Sequence, residues 1–122
     1  MFYEKRKSFM SRARDLQRVN DILFSIEKIE LFIGCKSLNE FETDLILQGA
    51  IQYHFLIIGE AVGAISKTRL EKYDYPWYIP KSFRNFIIHE YHSIKLERIY
   101  LATKDMLELK EICLLIKDDL EA

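Results

Sequence analysis

The chain has 122 residues, 49% of them apolar and 30% charged, with a formal net charge of −1. That length suits one domain over 1–122, and the composition is too apolar for a disordered chain and too charged for a membrane protein. The near-neutral balance excludes a protein that coats nucleic acid by bulk charge, while leaving room for a local basic face.

Only four glycines and two prolines punctuate the sequence. Long uninterrupted elements follow, so the fold class expected is all-α, an antiparallel bundle of four to five helices. Cys35 and Cys113 stand apart with no paired spacing, which reads as two reduced core thiols in a cytoplasmic protein. The first residues lack the apolar run of a signal peptide. The longest unbroken apolar run, Ile112–Ile116, is far short of the ~20 residues that span a bilayer, so no membrane partner is expected.

Residues 1–18 carry six basic side chains against two acidic ones, and residues 105–122 carry six acidic against two basic. Two solvated helix ends, paired with each other, explain this most simply; a basic arm touching phosphates is the functional reading. The basic extension covers residues 1–10. The first helix is expected from about Ser11 to Ile33, with Leu16, Val19, Leu23, Ile26 and Ile29 on one stripe and Gly34 as its stop. Ser37-Leu38-Asn39-Glu40 reads as a capping box.

A second helical stretch spans about Leu38 to Ser66, with a break near Thr43 and an apolar side from Leu47 to Ile65 that includes His54. Gly49, Gly59 and Gly63 lie inside it. Each costs ~1 kcal/mol relative to alanine, which close approach of another helix would offset. The stretch 72–80, KYDYPWYIP, reads as a packed aromatic loop over the end of the core. A short helix follows from Lys81 to about Tyr91. Ser93 then caps a last helix over about Ile94–Leu120, with Leu96, Ile99, Tyr100, Met106, Leu107, Cys113, Leu114 and Leu120 inward.

Chemistry concentrates in Arg84-Asn85-Phe86-Ile87-Ile88-His89-Glu90-Tyr91-His92. On an ideal helix Arg84 and Tyr91 fall about 20° apart, Asn85 and His89 about 40°, but Arg84 and His89 about 140°. A bent arginine, a helix ending near His89, or a second copy of the segment across a two-fold axis could bring them to one point. The residue types suit RNA cleavage without metal. Histidine transfers protons near neutrality, and arginine offers a permanent forked cation to phosphoryl oxygens. A helix end bonded to its neighbours is the structural alternative. His89 and His92 lack a third ligand, so no metal and no cofactor are expected.

The string R-N-x3-H-x-Y resembles the signature of the HepT-like toxin branch of the HEPN superfamily. Asp21-Ile22-Leu23, Ile57-Ile58-Gly59-Glu60-Ala61 and Pro76-Trp77 resemble that family's flanking segments. The resemblance covers about residues 15–116. It implies a HEPN-like bundle pairing as a homodimer, with metal-independent endoribonuclease activity on an RNA substrate. It also implies a toxin role beside a nucleotidyltransferase antitoxin of the MntA type. Carried over, Arg84 would stabilise phosphoryl charge, His89 would transfer the proton, Asn85 would support the site and Tyr91 would accept AMP. Glu60 would play a minor supporting part. The chain departs from the pattern at Ser82-Phe83, where the family often has glycine before an apolar residue, and in its N-terminal extension. A non-catalytic helical adaptor that binds a nucleotidyltransferase is the alternative function.

Overall fold

The structure, a computed structural model, describes residues 1–90 and 95–122. Tyr91, His92 and the expected cap Ser93 lie outside the described residues. Among the described residues the chain is all-helical, as expected, with seven helices rather than four or five. These are α1 (Phe2–Ile33), α2 (Leu38–Glu42), α3 (Leu45–Ala64), α4 (Lys67–Leu70), α5 (Tyr78–His89), α6 (Leu96–Thr103) and α7 (Leu107–Glu121).

α1 begins nine residues earlier than its apolar stripe predicts, so the basic extension is the exposed first part of one long helix. Residues 2–33 hold no glycine or proline to stop it. Gly34 ends it at φ 46°, the only positive φ among the described residues. The capping box forms as read. The Glu40 amide donates to Ser37 Oγ at 3.1 Å, and the Ser37 amide donates to Glu40 Oε1 at 3.0 Å. The break at Thr43 is present too, with Asp44 capping α3 through the Leu47 amide.

α3 packs between α1 and α5, and α1 also meets α7. Both neighbours of α1 run antiparallel to it. Ser11 and Ser25 of α1 meet Ser66 and His54, while Arg12 and Glu30 meet Leu120 and Lys110. Val19, Ile22, Ile26, Ile29, Phe41, Ile51, Ile99, Cys113 and Ile116 fill the interior. α3 is long and apolar enough to cross a membrane by length and composition, which no unbroken run in the sequence suggests. Half of its apolar window is buried inside the bundle, as a central helix requires.

Three expectations are corrected. Cys35 is exposed and only Cys113 is buried, because Cys35 follows the Gly34 turn rather than sitting on a helix face. The last helix is two: the Lys104 and Asp105 amides bond three residues back, to Leu101 and Ala102, and α7 restarts after Met106. That break shifts the helical phase, so Leu107 and Leu114 face outward. Cys113 and Leu120 face inward as expected, joined by Leu109 and Ile116. Finally, α5 begins at Tyr78, so the expected loop ends before Pro80.

The charged ends do meet, but not as side-chain pairs. Arg12 donates from Nε to the Leu120 carbonyl at 3.2 Å and from Nη2 to the Asp119 carbonyl at 3.3 Å. A cation there complements the negative end of α7. Asp15, fully buried, accepts from Arg69 Nε at 2.7 Å and from the Ser66 amide at 3.1 Å, tying α4 to α1.

Candidate active site

α5 is held to the bundle by one face. Pro80 and Ile87 are buried, and Phe83 and Phe86 are partly buried against the core. The Phe83 ring meets Phe55 of α3 edge-on at 4.9 Å between centroids. Lys81, Ser82, Asn85, Ile88 and His89 fall on the opposite, exposed face. Upstream, Trp77 locks the aromatic loop by donating from Nε1 to the Leu70 carbonyl at 3.0 Å, so the start of α5 is fixed.

The contact that places Arg84 is with Gly59. A methyl group on Gly59 would collide with Arg84 Cβ and lie 2.8 Å from the Pro80 carbonyl oxygen. The missing side chain is what lets α5 seat against α3 at this point. Gly63 and Gly49 meet nothing comparable, so the expected close approach belongs to Gly59 alone among the three.

From that seat the Arg84 guanidinium spreads over α3. One terminal nitrogen lies 3.6 Å from Glu60 Oε1, and another donates to Asn85 Oδ1 at 3.1 Å. Glu60 is largely exposed and Arg84 about one-third exposed, so this pair orients the arginine more than it stabilises the fold. Gly59, Glu60, Lys81, Arg84 and Asn85 line an open cleft of about 340 Å³. Lys81, one turn before Arg84, adds a second cation that motif reasoning did not pick out.

His89 is the last residue of α5 and is exposed. Among the described residues its imidazole has no hydrogen bond or ion pair. The structure therefore brings Arg84, Asn85 and Glu60 together and leaves His89 separate, five residues further and about 140° round an ideal helix. Tyr91 lies outside the described residues. The cleft favours an anion beside Arg84 and Lys81, and an exposed imidazole at the helix end is free to move protons. Among the described residues no group of three or more His, Cys, Asp and Glu side chains is placed to hold a metal.

The third histidine has a different setting. His54 is buried in α3, with Nδ1 3.1 Å from Ser25 Oγ and Phe24, Phe32 and Tyr53 around its ring. Burial, with the nearby Lys28 charge, lowers its pKa and keeps it neutral. It is a core histidine.

The family model described as "Ribonuclease HepT-like" matches residues 22–116, which contain Glu60, Arg84, Asn85 and His89. The chain is 34% identical over 105 residues to a protein of Methanocaldococcus jannaschii named "Gamma-glutamylcyclotransferase and putative RNase". That match covers 84% of this chain and 47% of the relative, so the chain spans less than half of the relative's length. No solved structure matches.

Proposed function

The chain belongs to the HepT-like ribonuclease family and has an all-α, HEPN-like fold; on that premise we propose that it is a metal-independent endoribonuclease. It acts in the cytoplasm as the toxin of a toxin–antitoxin pair. The observation that carries the reading is the Gly59-seated Arg84, oriented by Glu60 and Asn85 and followed at the end of the same helix by an exposed His89.

The reaction needs little more. The RNA 2′-hydroxyl attacks the adjacent phosphorus, and the bond to the 5′-oxygen breaks. His89 takes the 2′ proton, and the imidazolium so formed delivers it to the leaving 5′-oxygen. The products are a 2′,3′-cyclic phosphate and a free 5′-hydroxyl. Arg84 binds the phosphoryl oxygens as their charge grows. Because one helix aims Arg84 and His89 apart, the working site is a homodimer's, with Arg84 of one copy and His89 of the other on one linkage.

Tyr91 is the acceptor for AMP from a nucleotidyltransferase partner of the MntA type. The added phosphodiester and adenosine would occupy the phosphate path and repel RNA. Incubating the unmodified protein with total RNA in EDTA tests the activity. Fragments from wild type, and none from Arg84→Ala or His89→Ala at unchanged melting temperature, are expected. Absence of fragments from wild type, beside a stable complex with the nucleotidyltransferase, would make the chain an adaptor instead. Tyr91→Phe should abolish AMP labelling; labelling that persists would move the acceptor elsewhere.

A further inference from the structure

Next to the Arg84 cleft, on the other side of α3, lies a second and larger opening. It occupies about 560 Å³ between α1 and α3, within the roughly 300–1,000 Å³ of small-molecule sites. Arg18, Asp21 and Phe24 line it from α1, and Glu60, Ala61 and Ala64 line it from α3. Glu60 and Ala64 line the Arg84 cleft as well, so the two openings share a rim. Arg18 and Asp21 precede the span matched to the ribonuclease family, and the cleavage chemistry uses neither.

The lining has a definite chemistry. Ala61 and Ala64 leave a shallow apolar floor where larger side chains would fill the space. Phe24 is 54% exposed. Asp21 stands 3.6 Å from a terminal nitrogen of Arg18. The Arg18 Nε is buried without a hydrogen-bond partner. A flat ring carrying both donors and acceptors on its edge would use the Asp21 carboxylate, the terminal nitrogens of Arg18 and the Phe24 ring at once.

We propose that this cavity is a guanine pocket, holding the RNA base next to the phosphate that Arg84 grips; the inference rests on the ribonuclease reading. Guanine sets two N–H donors, N1 and N2, side by side, which match the two oxygens of the Asp21 carboxylate. Its O6 and N7 acceptors match the forked guanidinium of Arg18. Adenine and cytosine put an unprotonated ring nitrogen beside their amine, and that lone pair would face the carboxylate. Uracil has a single N–H between two carbonyls. Phe24, with the Lys28 ammonium over its ring at 5.1 Å from the centroid, leaves its other face for an unpaired base to stack on. The strand then runs over α3 from the base pocket to the Arg84 cleft across their common edge.

Two readouts on the full-length protein test this. The first is equilibrium binding of GMP, AMP, CMP and UMP, by calorimetry or NMR shift, to wild type, Asp21→Asn and Phe24→Ala. GMP should bind at least about tenfold tighter than the others. Asp21→Asn should erase that preference at unchanged melting temperature, and Phe24→Ala should weaken all four nucleotides together. Equal binding of the four, no binding at all, or a preference that survives Asp21→Asn overturns the proposal. The second is mapping of cut sites in a random RNA, where wild type should cut beside guanine and Asp21→Asn should cut without base preference. Cutting by wild type with no guanine bias overturns the pocket and leaves the ribonuclease standing. Guanine-selective binding without any cleavage does the reverse.

Discussion

Arg84 and His89 share one helix and have opposite surroundings. Arg84 is clamped: its Cβ rests on a bare glycine, its guanidinium lies between a carboxylate and an amide oxygen, and its helix is pinned by Phe83 against Phe55. His89 ends the helix in the open. On the proposed reading, the phosphate-binding half of the site would thus be complete within one chain, whereas the proton-transfer half would be presented outward, to be used against something that docks there. A catalytic cation benefits from being fixed before substrate arrives. An exposed imidazole keeps its ordinary solvation until a second surface closes over it.

The largest effect should come from the open half. His89→Ala is expected to lower RNA cleavage by about 10²–10⁴-fold, the usual contribution of a general acid–base group. Its thermal midpoint should match wild type, since the side chain is exposed; initial rates and a melting curve on one preparation check both. The Gly59 seat beneath the clamped half should fail through structure instead. Gly59→Ala drives a methyl into Arg84 Cβ and the Pro80 carbonyl and should cost about 1–3 kcal/mol in denaturant unfolding. Activity should drop with it, because α5 must back away from α3. A Gly59→Ala protein of wild-type stability and activity would show that the seat matters to neither.

Smaller effects sharpen the same contrast. Glu60→Gln removes an exposed partner at 3.6 Å, and exposed pairs are worth about 1 kcal/mol at most. Cleavage should change by less than about fivefold. A larger loss would promote Glu60 from orienting group to participant. The two histidines also divide by pH. The folded state holds His54 below its ordinary 6.5, so folding is opposed wherever the unfolded chain binds that proton more readily. This contribution is whole above about pH 6.5 and is lost as pH falls from there toward the lowered folded value. Thermal midpoints should therefore decline from pH 7 to pH 5, and the decline should be shallower in His54→Gln.

What the sequence made legible follows the same division between local and long-range causes. The Gly34 stop, the Ser37–Glu40 box and the break at Thr43 are decided by residues a turn apart, and each was readable as written. The split of the last helix was not. Lys104, Asp105 and Met106 include no glycine or proline, and the break shows only in amides bonding three residues back. Leu107 and Leu114, expected inward, face outward as a result. The motif named Arg84 and His89, but the reason Arg84 sits where it does lies across the fold, in Gly59. The glycines in α3 hinted at a close contact without saying which of the three made it. The pair of buried Asp15 and half-buried Arg69 spans 54 residues and leaves no local trace at all.

Mixing two inactive proteins tests the shared site most directly. Arg84→Ala and His89→Ala variants, each silent alone, should recover activity when allowed to exchange subunits. A heterodimer keeps one intact pairing of Arg84 from one chain with His89 from the other. Random exchange should then return about one quarter of the wild-type rate, since half the dimers are mixed and each holds one working site of two. A mixture that stays silent although mass spectrometry shows heterodimers would contradict the two-chain site.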